Sequence, residues 1–302
     1  MMERSAGLAG PVGWLGDSEL HPYLVVDVFT SRPLEGNQLG VFLDGRPFSD
    51  EDMLRLAREM NFAETVFLLP PRSGGELAVR IFTPGGELPF AGHPVLGTAF
   101  VVGTALGADS VLLETGAGPV PITLERDDGR IVFGRMQQPI PVREAFDRAD
   151  DLLSALGVRS SELPVELYRN GPAHVYVALP DEEAVAALRP DMTRLTELDV
   201  AANCFAGDGR RWKTRMFYPA VGVPEDPATG SAAGPLAVHL ARHGRIAFGA
   251  EIEIRQGEEI NRPSRLYAKA TGTSERIESV EVGGSAQIVA AGTFGFGREK
   301  RA

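Results

Sequence analysis

The first part of the chain alternates between short apolar runs and turn-forming residues. Residues 24–29 and 39–43 have the pattern of strands. A helix is predicted over residues 49–61, because Ser49 is a favoured N-cap and apolar residues recur at helical spacing. Those apolar residues are Met53, Leu56, Ala57 and Met60. Residues 62–69 then predict a strand that carries one acid, Glu64.

One pattern occurs twice along the chain. Residues 80–84 read Arg, apolar, Phe, any residue, Pro, and a Pro-x-x-Gly segment at 89–92 then opens an apolar helix. Residues 215–219 and 227–230 repeat both parts in the same order. The spacing between the parts differs slightly, which indicates a diverged duplication. The sequence therefore predicts two similar lobes facing each other across a cleft.

This duplication sets the expected domain organisation. Residues 1–21 resemble no export signal and are expected to be a flexible N-terminal extension. The first lobe is expected to span residues 22–138 and the second residues 139–302, with a Pro-marked crossing between them. An arrangement in which the last strands return to the first lobe stays open.

Composition narrows the class of protein. The 302 residues include 30 basic and 41 acidic ones, and the net charge of -11 argues against nucleic acid and anionic membranes as partners. The single cysteine, Cys204, excludes an internal disulfide framework and fits a reducing cytoplasm. Residues 88–108 contain no charged side chain and are long enough for a membrane span, but their prolines and glycines favour a buried helix.

The second copy of the motif has the features of an anion site. The helix is predicted to open near Gly230 and Ser231, where free amide N–H groups and the helix dipole favour a carboxylate or phosphate. Asp226 stands just before it as a candidate proton donor or acceptor. The alternative is an ordinary Thr or Ser cap, which is equally compatible with this segment alone.

Two further titratable residues belong to the same hypothesis. Strand alternation places Glu64 on the side of Phe62, Val66 and Leu68, where an apolar environment would raise its pKa. An acid at the frayed start of an edge strand is the alternative. His93 opens the first predicted helix, and a capping or core histidine is the alternative for it.

Other chemistries find less support. None of the five histidines is expected to pair with a cysteine or a second histidine as a zinc site would, so no metal is predicted. A Gly-rich dinucleotide motif and a P-loop are both missing, and Ser231 lacks a nucleophile elbow. Acid/base chemistry remains, and cofactor-free isomerisation or epimerisation of a small carboxylate follows from it.

Several segments resemble one known family. Residues 34–37, 57–64, 87–94, 203–207 and 225–234 closely resemble the PhzF-type phenazine-biosynthesis family of the diaminopimelate-epimerase-like superfamily. The likeness runs from about residue 23 to the closing strands. It implies an α+β fold of two pseudo-repeated lobes, each a curled, mostly antiparallel sheet around a central helix. It also implies a homodimer without metal or organic cofactor.

The resemblance also implies an activity and a site. The activity is isomerisation of trans-2,3-dihydro-3-hydroxyanthranilate, a cyclic carboxylate, with Glu64 carrying a proton from one ring carbon to another. The family's pocket residues match His93 and Asp226 as catalytic groups and, for substrate binding, Asn37, Gly92, Gly230 and Ser231. The chain departs from the family at Gln38, where a proline is usual.

Two alternatives remain open beside this one. The same fold could serve an epimerase or isomerase of another small carboxylate, although the helix starts lack the paired cysteines of the two-thiol epimerases. A non-catalytic interaction protein is the alternative of a different class. The titratable groups present at all three positions, Glu64, His93 and Asp226, argue against it.

Overall fold

The computed structural model describes residues 19–295. Within that range the chain forms six α-helices, two short 3-10 helices and eighteen strands that join in one hydrogen-bonded sheet. The strands are β1 (Leu20–Val28), β2 (Asn37–Phe42), β3 (Glu64–Leu69), β4 (Leu77–Thr83), β5 (Gly86–Leu88), β6 (Ser110–Thr115), β7 (Gly118–Asp127), β8 (Arg130–Gln137), β9 (Val142–Ala145), β10 (Glu166–Arg169), β11 (Ala173–Ala178), β12 (Ala201–Asp208), β13 (Arg211–Tyr218), β14 (Val223–Asp226), β15 (Glu251–Gln256), β16 (Ser264–Gly272), β17 (Ile277–Gly284) and β18 (Ala286–Gly295). The helices are α1 (Asp50–Met60), α2 (Gly92–Leu106), α3 (Ala149–Leu156), α4 (Glu182–Ala187), α5 (Met192–Leu198) and α6 (Gly230–Arg242), with 3-10 turns at Pro219–Val221 and Glu258–Ile260.

The local signals near the N-terminus produce the expected helix. Ser49 caps α1 by accepting a hydrogen bond from the Asp52 amide, and the Asp52 side chain accepts in return from the Ser49 amide. Met53, Leu56 and Ala57 are buried on one face of α1. The helix therefore begins where the sequence predicts and packs its apolar face on β3 and β4.

Two helices lie at the centres of curled sheets. Helix α2 packs against β1, β2, β6, β7 and β8, and most of its residues are buried on all sides. Helix α6 packs against β15, β16 and β17. Among the described residues, no helix has both the length and the apolar character that a bilayer crossing needs. The preference for a buried helix in residues 88–108 is thus confirmed.

The duplication is visible in the register of the strands. Strand β3 pairs antiparallel with β4 through Thr65 and Phe82, and β12 pairs with β13 in the same way through Ala202 and Phe217. Each of these pairs continues into a parallel neighbour, β2 beside β3 and β11 beside β12. Antiparallel pairs predominate in the rest of the sheet. The α+β prediction is confirmed.

The closing strands cross to the first half of the chain. Strand β18 pairs with β1 along its whole length, and β17 pairs with β8. Leu20 lies opposite Gly295, so β1 begins before residue 22, where the first lobe was expected to start. Leu20 and His21 pair with the end of β18, which is distant in sequence, so local patterns do not predict that they belong to a strand. The remainder of the expected extension, residues 1–18, lies outside the described residues.

Candidate active site

The N-termini of α2 and α6 meet head to head. A Cβ on Gly92 would lie 2.5 Å from the carbonyl carbon of Gly230, and a Cβ on Gly230 would lie 3.0 Å from the His93 amide nitrogen. Only glycine permits so close an approach of two backbones. The two helix starts identified in the sequence therefore open onto one place, and their dipoles add there.

Neither helix start has a side-chain cap. Ala91 precedes α2 and Thr229 precedes α6, and neither side chain accepts a hydrogen bond from its own first turn. The Thr229 hydroxyl instead donates to Oδ2 of Asp226 at 2.7 Å. The interpretation of the second motif as an ordinary cap is therefore wrong. The first amide N–H groups of both helices stay available for an anion.

A small cavity of about 100 Å³ lies at this meeting point. Six of the seven predicted site residues line it, and Asn37 lies behind its wall. Apolar side chains contribute most of the remaining lining surface. The lining consists of Ala63, Glu64, Thr83, Leu88, Ala91, Gly92, His93, Pro172, His174, Met216, Tyr218, Val221, Val223, Asp226, Thr229, Gly230 and Ser231.

Glu64 is the first residue of β3 and points into the cavity. Its side chain is only 16% exposed, and its Oε2 lies 3.3 Å from Nε2 of His93 without the angles of a hydrogen bond. Burial, and to a smaller extent the negative charge of Asp226, raises the pKa of Glu64 well above the usual value. A raised pKa makes the carboxylate form a stronger base, as a group that must first accept and then return a proton requires.

The side-chain amide of Asn37 links His93 to Asp226. The Asn37 Nδ2 donates to Oδ1 of Asp226 at 2.8 Å and to the Ala228 carbonyl at 3.0 Å, and it lies 3.2 Å from Nδ1 of His93. Burial lowers the pKa of His93 to about 3, which keeps the imidazole neutral. Burial raises the pKa of Asp226 to about 6, against the hydrogen bonds from Thr229 and Asn37 that lower it.

The Ser231 side chain has a partner that sequence reasoning missed. Its Oγ lies 3.0 Å from Nε2 of His174. The Nδ1 of His174 in turn lies 3.3 Å from the side-chain Nδ2 of Asn203. Burial lowers the pKa of His174 to about 3, so this ring is also neutral. A signal was present, because His174 follows the Asn-Gly-Pro turn in the second copy of the strand-turn-strand layout.

The side-chain amides of two further residues, Gln138 and Asn170, form hydrogen bonds to the first turn of α6. Gln138 Nε2 donates to the Gly230 carbonyl at 2.8 Å, and Asn170 Nδ2 donates to the Ser231 carbonyl at 2.9 Å. Both side chains come from segments far from α6 in sequence, and nothing local marks them. These hydrogen bonds fix the orientation of the peptide groups whose N–H atoms would face a bound anion.

Two of the histidines lie close together, which the sequence prediction did not anticipate. His239 is in the last turn of α6, and His243, four residues later, is its C-cap residue. Glu166 on β10 completes a group whose ligand atoms lie within 4.8 Å of one another. Nine residues of helix, roughly 13 Å of axial rise, separate His239 from Gly230. The group is therefore separate from the cavity.

Comparison with known proteins gives consistent results. Residues 26–292 match the family model PhzC-PhzF, described as phenazine biosynthesis-like protein. The trans-2,3-dihydro-3-hydroxyanthranilate isomerase of Pseudomonas aeruginosa is 54% identical over 90% of this chain and 99% of its own length. The enzyme of the same name from Pseudomonas fluorescens is 52% identical over 91% of this chain and 99% of its own.

Solved structures agree on the fold. A PhzF-family phenazine biosynthesis protein from Bacillus anthracis superimposes with a TM-score of 0.80 at 25% identity, over 91% of this chain and 99% of its own. A hydroxyproline epimerase from Agrobacterium vitis, at 16% identity, shares the fold with a TM-score of 0.64 over 91% of each chain. The diaminopimelate-epimerase-like fold is thus confirmed. The chain belongs to the PhzC-PhzF family of phenazine biosynthesis-like proteins and is an isomerase.

Proposed function

We propose that the protein isomerises trans-2,3-dihydro-3-hydroxyanthranilate by acid/base catalysis in the cavity between the two helix starts, without a cofactor. The observation that carries this proposal is the Glu64 carboxyl group, buried at the place where α2 and α6 present uncapped amides. Identities of 52–54% to enzymes of that name support the choice of substrate.

The paired helix starts are suited to the substrate carboxylate. The first amides of α2, at Gly92 and His93, and those of α6, at Gly230 and Ser231, lack side-chain caps. Two helix dipoles directed at one carboxylate stabilise it more strongly where water is excluded. Negative charge that develops on a ring conjugated with this carboxylate would be stabilised by the same amides.

Glu64 carries the proton. As a carboxylate it removes the proton from the ring carbon that bears the hydroxyl group, and the electron pair left behind shifts through the conjugated ring. The resulting Glu64 carboxylic acid returns the proton to another ring carbon, and the enol product relaxes to a ketone. The raised pKa of Glu64 brings its acid and base forms closer in energy, which both half-steps require.

His93 and Asp226 complete the polar part of the cavity. A neutral imidazole has one donor and one acceptor, and the Asp226 carboxyl accepts hydrogen bonds from Asn37 and Thr229. Held in this way, they offer partners to the amino and hydroxyl groups of the ring. Ser231, oriented by His174, offers a further hydroxyl group.

One observation favours a second candidate, an isomerase or epimerase of a smaller carboxylate. The cavity measures about 100 Å³, whereas an engineered protein cavity of roughly 150 Å³ holds benzene. A substituted six-membered ring therefore enters only if the walls of the cavity separate. A smaller carboxylate substrate would need no such movement of the walls.

Proton exchange in deuterated water tests both candidates. Wild-type protein is incubated with trans-2,3-dihydro-3-hydroxyanthranilate, and separately with small amino acids, while ring or α-proton signals are followed by NMR. We expect turnover of the ring substrate only, a loss of about 10³-fold in Glu64→Gln, and full activity in Glu59→Gln, a change at an exposed glutamate of α1. Turnover of amino acids alone would favour the second candidate. Full turnover by Glu64→Gln would contradict the proposed mechanism, in which Glu64 carries the proton.

We also infer a homodimer located in the cytoplasm. Its two lobes consist mainly of residues 22–138 and 139–302, with the closing strands β17 and β18 returning to the first lobe. Exposed apolar side chains near the crossing between the lobes support the dimer, with Val142 61% and Ile140 48% exposed. A single buried cysteine supports a reducing compartment. Sedimentation velocity tests the dimer.

A further inference from the structure

A group of potential metal ligands lies at the C-terminal end of α6. His239 lies in the last turn of α6 and His243 is its C-cap residue, and Glu166 reaches both side chains from β10. The Glu166 Oε2 lies 3.3 Å from Nδ1 of His239 and 3.1 Å from Nε2 of His243. The Tyr168 hydroxyl donates to the same oxygen at 2.9 Å.

Two of the three separations between ligand atoms fit a tetrahedral site, and the third, between the two imidazole nitrogens, is within 4.8 Å. In this structure the contact between His243 Nε2 and Glu166 Oε2 is a hydrogen bond, which a bound ion would replace. Zn²⁺ binds nitrogen and oxygen ligands at roughly 2.0–2.2 Å, so two ligand atoms of a tetrahedron lie about 3.3–3.6 Å apart. The oxygen-nitrogen distances of 3.1 and 3.3 Å are close to that edge length. Two imidazoles and one carboxylate are a ligand set that suits zinc and its neighbours better than magnesium or calcium.

The surroundings hold the three side chains in place. Arg143 Nη1 donates to the other oxygen of Glu166 at 2.9 Å, which fixes the carboxylate plane. The His239 ring is fully buried among the rings of Tyr168, Tyr176 and Phe205. The hydrogen bond from Arg143 is the type of contact that orients a metal ligand, whereas His239 is held by ring packing and its Nε2 has no hydrogen-bond partner.

The group is also open to solvent on one side. The side chain of His243 is 20% exposed, whereas that of His239 is fully buried. A metal ion can therefore enter beside His243, and a water molecule can complete its coordination. The positive charge of Arg143 nearby reduces the affinity expected for a dication.

We propose that Glu166, His239 and His243 form a binding site for one transition-metal dication, with Zn²⁺ the best match to their spacing and chemistry. The ion joins β10 to the end of α6, whose other end forms the candidate active site. The site stabilises the second half of the chain and takes no part in the proton transfer. Its existence is independent of the proposed substrate.

Metal binding by the full chain, prepared without a histidine tag and treated with chelator, tests this proposal. We expect isothermal titration to give one equivalent of Zn²⁺ per chain, and Co²⁺ to produce visible absorption bands of a four-coordinate site. Bound metal should raise the melting temperature. His243→Ala and Glu166→Gln should lose binding, whereas Glu144→Gln, on the adjacent strand β9, should retain it.

Two results would overturn the proposal. The first is less than half an equivalent of bound Zn²⁺ in folded wild-type protein. The second is equal binding by wild type and by whichever of the two ligand variants has a native circular dichroism spectrum. His243 is the partly exposed ligand, so His243→Ala is the variant expected to keep the fold.

Discussion

Oε2 of Glu64 lies 3.3 Å from Nε2 of His93, yet both atoms are buried and neither forms a hydrogen bond. Two polar atoms left in this state cost free energy, and a catalytic role is one recognised reason why a protein retains them. A bound substrate can supply the partners that both atoms lack. The pair thus marks the place where the reacting part of a substrate is expected.

The pH dependence of activity should report on Glu64. Proton removal needs its carboxylate form, so kcat/KM should rise with pH through a pKa above the usual glutamic acid value. Asp226→Asn removes the negative charge that contributes to this raised pKa, and the acidic limb should move to lower pH although the rate falls. Initial rates over a pH series in both proteins measure this shift. An acidic limb that stays in place would contradict the coupling between the two acids.

The stability of the protein should depend on pH through Asp226. Its folded pKa of about 6 exceeds the ordinary aspartic acid value of 3.8, so the folded state binds more protons than the unfolded state between these pH values. The stability that this acid contributes is therefore present below about pH 4 and is lost as the pH rises through 6, by on the order of 2–3 kcal/mol. Urea unfolding at pH 4.5 and pH 8 should show a smaller loss in Asp226→Asn. Parallel losses in the two proteins would argue against a raised pKa.

A methyl group at the meeting point of the helices should separate them. Gly92→Ala places a Cβ 2.5 Å from the Gly230 backbone, where no flexible side chain can move aside. We expect a loss of about 2 kcal/mol or more in unfolding free energy and an activity below a hundredth of wild type. Gly86→Ala is the matched control, because a Cβ there would meet nothing within 4 Å. Near-normal turnover by Gly92→Ala would show that the close approach is not needed.

The duplicated ion pairs provide a comparison within one molecule. Arg215 and Glu225 are 6% and 10% exposed, whereas their counterparts Arg80 and Glu87 are 22% and 43% exposed. Arg215 also donates to three carbonyls at the end of α4, including that of Leu188. Arg215→Ala should cost about 3–5 kcal/mol by stranding a buried charge.

The equivalent change in the first copy should cost less. Arg80→Ala removes a partly exposed pair, for which about 1 kcal/mol is expected. Chemical denaturation of both variants measures the difference. Similar losses of unfolding free energy in the two variants would mean that burial does not determine how much each ion pair contributes to stability.

Much of the architecture follows from local sequence signals. The Ser49 cap and the spacing of Met53, Leu56 and Ala57 define α1 without any distant partner. The repeated Arg-x-Phe-x-Pro and Pro-x-x-Gly segments indicate two lobes and both helix starts, because each copy carries its own turn and helix chemistry. The apolar run around Glu64 indicates buried surroundings for this acid, and β3 is in fact buried on both faces. Periodicity and turn chemistry act over a few residues, so a single sequence contains them in full.

The tertiary structure alone decided which of these features meet. The contact of Gly92 with Gly230 and that of His174 with Ser231 join residues more than fifty positions apart. The spacing of His239 and His243 was visible in the sequence, but the approach of Glu166 was not. Such contacts depend on how the sheets curl around α2 and α6. That curl is a property of the whole packed core, in which every side chain's position depends on its neighbours.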